Sequence, residues 1–255
     1  MDEMNRMSKM NRERALKEFE NYTANYDLSN IGVSLKISHT YRVAAISERI
    51  AESVANGQGI VVDFAWLFGL LHDIGRFEQI TRYGTFKDAL SVDHAELGAD
   101  ILFRENLFEK FADVPHEIRG IAETVIRLHN KLRLPENISP VTKTYAKILR
   151  DADKIDIFRV LTEPPYNKRD LKGLLARDEI MQCVREHRCV PRPSGDFQYN
   201  ELEALISQCC MAFELEYNKS RAIVVEQGYL KKLLSYDSGQ LETLREEIIE
   251  EITRG

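Results

Sequence analysis

Apolar residues recur three and four positions apart through nearly the whole chain, and no strong alternation of period two appears. That spacing builds helices with one buried face, so it restricts the chain to an all-α architecture. Two short runs, GIVV at 59–62 and AIVV at 222–225, fit helices or their approaches as well as strands. Prolines at 115, 135, 140, 164, 165, 191 and 193 fall between the periodic stretches and mark loops. The segment EHRCVPRPSGDFQYN, 186–200, reads as an ordered excursion between helices. We expect a single all-α domain over 1–255, with a core at about 35–160 that holds nearly all the polar residues found on apolar faces. Residues of about 161–255 read as helices packed on that core, and a separate small domain there stays open.

Composition removes several functions. A formal charge of −6 argues against an extended nucleic-acid partner. The charged N-terminus lacks the apolar stretch of a secretory signal, and no run approaches the roughly 20 apolar residues of a membrane helix. Four cysteines without a CxxC pair read as reduced thiols, so the expected location is cytoplasmic. The acidic amphipathic segment 238–255 reads as a packing helix rather than a membrane-surface helix; it serves either a homodimer or the closing of the core.

The histidines carry the chemistry. His39 begins a stripe with Val43, Ile46, Ile50 and Val54, and Ser38 is a candidate cap for that helix. In DFAWLFGLLHDIG, Asp63 is a candidate N-cap, and His72 and Asp73 stand at the far end of a helix that is apolar all round. Adjacent residues on a regular helix face apart, but a chain released by Gly75 lets these two converge. His94 shares a face with Leu97, Gly98 and Ile101, with Asp93 as cap or as a partner of the imidazole. His129 ends the stripe of Ile118, Ile121, Ala122 and Val125. Asp153 lies on the face of Ala146, Leu149 and Ile157, with Asp151 and Asp156 off it. His116 and His187 lie among polar residues and read as surface groups. A single buried histidine is usually a satisfied core residue. Two buried carboxylates change that, because each costs several kcal/mol unless it is paired or binds a metal, and no arginine shares those stripes. Imidazole with carboxylate suits Fe, Mn, Co, Ni or Zn, as one ion or two, with Mg as a further option.

The order His39, His72-Asp73 in LLHDIGRFE, and Asp153 in RDADKID resembles the His…His-Asp…Asp set of the HD-domain superfamily, over about residues 35–160. DHAELGADIL and ETVIRLHN resemble the segments that add histidines in its dinuclear members, which include HD-GYP cyclic-dinucleotide phosphodiesterases and di-iron oxygenases related to inositol oxygenase. The resemblance implies a helical bundle in which His39, His72, Asp73 and Asp153 hold one metal and Asp73 bridges to a second on His94 and His129. NKLRLPEN follows His129 where a GYP segment would stand, which argues against a cyclic-di-GMP enzyme.

Two divalent ions on two carboxylates leave the site net positive, which suits a phosphoryl group. The expected activity is therefore hydrolysis of a phosphate ester by metal-activated hydroxide, with Asp73 central to the chemistry. The resemblance makes the substrate a nucleotide or a related small phosphorylated molecule. Its alternatives are a di-iron oxygenase and a non-enzymatic ligand-sensing domain. Arg76 is a candidate phosphate clamp, or else a surface arginine paired with Glu78. Arg82, Lys87, Arg127, Lys131 and Arg133 are further basic candidates at the mouth, and the loop 82–93, with Tyr83 and Phe86, would shape the pocket.

Overall fold

The computed structural model describes residues 10–55, 61–191, 198–236 and 239–253, and among these no strand appears. The architecture is all-α. The chain divides into two compact units, Met1–Ala152 and Asp153–Gly255.

In the first unit, Asn11 opens α1 (Arg12–Thr23) by accepting the Arg14 N–H, and α1 buries Phe19 edge-on against Tyr41 and Phe77, with centroids 5.2 and 6.1 Å away. Asn30 accepts the Gly32 N–H and opens α2 (Ile31–Val54). Ser38 is therefore an interior residue of α2 and not its cap, because a competent cap stands upstream and the buried stripe reaches back to Val33. α3 (Val62–Leu71) buries every side chain from Phe64 to Leu71. It crosses α2 closely at Gly69, where a Cβ would sit 2.7 Å from the Ala44 Cα. Asp63 does not cap α3. It lies in the first turn, after Val61, and its carboxylate takes Arg12 at 2.6 Å. Of the run GIVV, residues 59 and 60 lie outside the described residues, and Val62 opens α3.

After His72 and Asp73 the chain re-enters a helix at once: α4 (Ile74–Tyr83), closed by Gly84 in the left-handed region at φ 65°. A loop with one 3-10 turn, Asp88–Leu90, leads to α5 (His94–Ala99), which continues as a π turn, Asp100–Arg104. Asp93 caps α5, as expected, by accepting the Ala95 and Glu96 N–H groups. The single turn α6 (Phe108–Phe111), then α7 (His116–Leu128) and α8 (Pro140–Val160) complete this part. α8 runs through the division between the units.

In the second unit follow α9 (Asp178–Arg185), α10 (Glu201–Cys209), a 3-10 turn at Cys210–Glu214, α11 (Asn218–Gln227), α12 (Tyr229–Leu233) and α13 (Gly239–Thr253). α10 starts in a reciprocal capping box between Asn200 and Glu203, and Glu203 also takes Arg177. The run AIVV lies inside α11. The expected acidic C-terminal helix is α13, with Leu241, Leu244 and Ile248 fully buried. Residues 192–197 of the 186–200 excursion lie outside the described residues.

His187, read as a surface group, is half-buried instead. Its ring stacks on Phe213 at 4.9 Å and its Nε2 meets Glu247 at 2.6 Å. The bond to Glu247, with Glu251 beside it, raises the pKa of His187 above the ordinary histidine value in spite of partial desolvation. A raised folded-state pKa adds stability that is complete below about pH 6.5 and is lost as pH rises through the raised value. Thermal unfolding of His187→Gln between pH 6 and 8 is therefore expected to show a flatter decline in Tm than the native chain. An identical slope in the two proteins would remove the ion pair from the account.

Candidate metal centre

Four helices and one turn bring the ligand-type residues to one place. His39 projects from α2, His72 occupies the C-cap of α3, His94 is the first residue of α5, and His129 occupies the C-cap of α7. Asp73 sits in the turn between α3 and α4. All five are buried. Gly75 does not release the chain at a helix end, as the sequence suggested. It lies within the first turn of α4, and what it permits is contact: a Cβ there would stand 2.3 Å from the His94 carbonyl oxygen and 2.6 Å from the Gly98 nitrogen. The glycine lets α5 press against the His72-Asp73 turn.

Asp73 is the hub. Its Oδ2 lies 3.5 Å from His39 Nε2 and 3.4 Å from His72 Nε2. Its Oδ1 lies 3.5 Å from His94 Nε2 and 3.9 Å from His129 Nε2. Each carboxylate oxygen thus faces one pair of imidazoles. Asp153 stands on α8, one residue past the division and so in the second unit. Its neighbours Asp151 and Asp156 are fully buried while Asp153 is only partly so, which reverses the face assigned from periodicity. The buried stripe of α8 runs through Tyr145, Ile148, Leu149, Ala152, Ile155 and Phe158, so the helix presents more than one apolar face and spacing alone could not choose between them.

The protons on the rings follow from their partners. His72 Nδ1 lies 2.7 Å from the Gly69 carbonyl, and His129 Nδ1 lies 2.7 Å from the Ile126 carbonyl. A carbonyl can only accept, so each Nδ1 donates, and Nε2 is the ring nitrogen turned toward Asp73. His94 Nδ1 lies 2.8 and 3.0 Å from the two oxygens of Asp88, which selects the same tautomer. His94 Nε2 and His129 Nε2 then stand 2.9 Å apart. Two lone pairs at that distance repel unless a positive charge serves both. Burial lowers the His94 pKa below the ordinary histidine value, against the pull of Asp88. The donor set fits a metal. His39, His72 and Asp73 form one group and Asp73, His94 and His129 a second, each with ligand atoms mutually within 4.8 Å.

Several residues escaped the sequence reading. Lys36 Nζ donates to Asp73 Oδ2 at 2.5 Å, and Arg76 Nε stands 3.6 Å from Asp73 Oδ1, so the carboxylate does have cationic partners. Burial alone would push the Asp73 pKa up; Lys36, His72 and Arg76 outweigh it and hold the carboxyl well below its usual range. Asp88 is held in turn by Arg76 at 2.9 Å and by Gln79 at 3.0 Å. The fully buried Gln79 also binds the Ser91 hydroxyl and the Val92 carbonyl, which fixes the loop. The pairing of Arg76 with Glu78 is not observed; Glu78 takes Arg82 at 2.6 Å and the Tyr26 hydroxyl at 2.9 Å. Arg127 is taken by Glu96, Asp100 and Glu123, and Lys131 by Asp93 and Glu96, while Lys87 and Arg133 are exposed. Phe86 packs over Gly32, and Tyr83 is exposed.

Outer partners that orient a ligating histidine typically govern metal affinity by 10–100-fold. Asp88→Asn keeps the shape but weakens the acceptor for His94 Nδ1. We expect metal affinity at the His94–His129 pair to fall about 10-fold or more, read by titration against a chromophoric chelator. Unchanged affinity would reduce Asp88 to a support for Arg76.

Helices meeting around a buried imidazole-carboxylate cluster define a helical domain whose donor groups could hold a metal ion. Compared with known protein families, residues 37–157 match the HD domain, and the chain carries an HD domain over those residues. That superfamily consists largely of metal-dependent phosphohydrolases. No curated protein and no solved structure matches the chain. Among the described residues no helix is long and apolar enough to cross a membrane.

Proposed function

We propose that this chain is a cytoplasmic metal-dependent phosphohydrolase whose site holds two divalent ions and acts on a small phosphorylated molecule, a nucleotide or a relative of one. The observation that carries the reading is Asp73, with one oxygen toward His39 and His72 and the other toward His94 and His129. Asp153, on α8, is the further carboxylate that the family's ligand order assigns to the set. The ions, of the class Fe, Mn, Co, Ni or Zn, would lower the pKa of a bound water toward about 7 and so make a nucleophile available at neutral pH.

The chain's own residues support the rest. The Nδ1 atoms of His72, His94 and His129 are held by fixed acceptors, so each ring already turns its Nε2 to the cluster. Arg76 is held by Gln79, by the Phe86 carbonyl and by Asp88, and its buried Nε has no hydrogen-bond partner. An unsatisfied buried donor of this kind costs roughly 1–3 kcal/mol, which a phosphate oxygen would recover. Arg76 thus fits a fixed substrate-binding cation at the edge of the ligand cluster.

Metal content per chain, measured on protein purified without chelator, tests the reading. We expect close to two equivalents, falling toward one in His94→Ala and in His129→Ala, with phosphate released from at least one phosphomonoester, phosphodiester or nucleoside triphosphate. One equivalent in all three proteins overturns the two-ion site. No phosphate release with Mn, Co, Ni or Mg overturns the hydrolase.

A further inference from the structure

Lys36 is placed where a metal-free site needs a charge and a loaded site does not. Its ammonium donates to Asp73 Oδ2, the oxygen that also faces His39 and His72. It stands three residues before His39 on α2, so it lies on the same face of that helix, nearer the N-terminal end. The Lys36 side chain keeps 16% of its exposure while Asp73 keeps 2%, so the lysine reaches into the cluster from its solvent edge. A compact ammonium on a flexible stem and an ion held by His39, His72 and Asp73 seek the same lone pairs. They also repel each other at short range in a poorly solvated place. The nearby carboxylate of Asp88 is already engaged by Arg76, Gln79 and His94. A displaced Lys36 therefore has solvent or an incoming anion as its partner.

Building on the phosphate-ester reading, we propose that Lys36 is an exchangeable cation: it neutralises Asp73 in the metal-free chain, yields that carboxylate to the metal, and then binds a phosphate oxygen of the substrate at the edge of the site. Arg76, pinned on three sides, is the fixed counterpart of this movable group.

The proposal makes two affinities move in opposite directions. Lys36→Gln keeps an N–H donor and removes the charge. Manganese titrated calorimetrically into the metal-free protein is expected to bind about 10-fold more tightly to this variant, a competitor having been removed. Inorganic phosphate titrated into the metal-loaded protein is expected to bind about 10-fold more weakly, as for the loss of a charge-assisted hydrogen bond. Lys36→Met repeats both measurements without the donor, with circular dichroism confirming the fold. A lysine that merely positions Asp73 would weaken both affinities on removal. Metal binding no tighter than native, or phosphate binding no weaker, overturns the proposal. A native chain that binds no metal would instead remove the underlying phosphohydrolase reading, so the two failures are distinguishable.

Discussion

Asp73→Asn is expected to empty the centre of metal while leaving the helices in place. The substitution is nearly isosteric, but an amide offers one acceptor oxygen where the carboxylate offers two, each set against its own pair of imidazoles. Loss of an outer-shell partner alone costs up to about 100-fold in affinity, so loss of the shared ligand should exceed that. Activity should fall by at least about 10³-fold, equivalent to about 4 kcal/mol of barrier. Elemental analysis and phosphate release read both effects, and a variant that keeps its metal would show that Asp73 is a structural carboxylate paired with Lys36 and Arg76. Folding should survive, because Lys36 is close enough to solvent to leave the site once its partner is neutral.

Gly75→Ala is expected to cause the largest loss of stability among glycine substitutions in α4 and α7. Three backbone atoms meet the new methyl: the His94 carbonyl oxygen at 2.3 Å, the Gly98 nitrogen at 2.6 Å and the Gly98 Cα at 3.0 Å. No side-chain rotation relieves a clash with backbone, so α4 and α5 have to separate. Overpacking typically costs about 1–3 kcal/mol and more where nothing yields, which outweighs the roughly 1 kcal/mol gained in helix propensity. At about 2–4 °C per kcal/mol, a 3 kcal/mol loss lowers Tm by roughly 6–12 °C. The displaced atom is the carbonyl of His94 itself, so metal affinity should fall with stability. Gly120→Ala is the control: it lies in α7 with nothing within 4 Å of the added Cβ, and it should gain about 0.5–1 kcal/mol. Equal Tm changes in the two variants would refute the close-approach account of Gly75.

The periodicity of the sequence made the all-α fold legible, and polar residues on apolar stripes singled out His39, His72, Asp73, His94 and His129, which the fold does bring together. What escaped was set by context rather than by pattern. Lys36 sits on the His39 helix, but placing the cap at Ser38 cut the helix short and removed the lysine from its face. Asp88 lies in a loop, where no period marks a half-buried carboxylate; only the folded path brings it to His94. Asp153 was assigned the wrong burial, because α8 is apolar on more than one side. Gly75 read as a stop signal since glycine commonly ends helices, yet its role is steric and depends on Gly98, twenty-three residues later.

Two of the four imidazoles close a helix as well as face the centre. His72 at the end of α3 and His129 at the end of α7 each give a ring proton to the carbonyl three residues back, in the last turn of the helix. The same hydrogen bond therefore finishes a helix and decides which nitrogen is turned to the centre, so helix closure and ligand orientation cannot be lost separately.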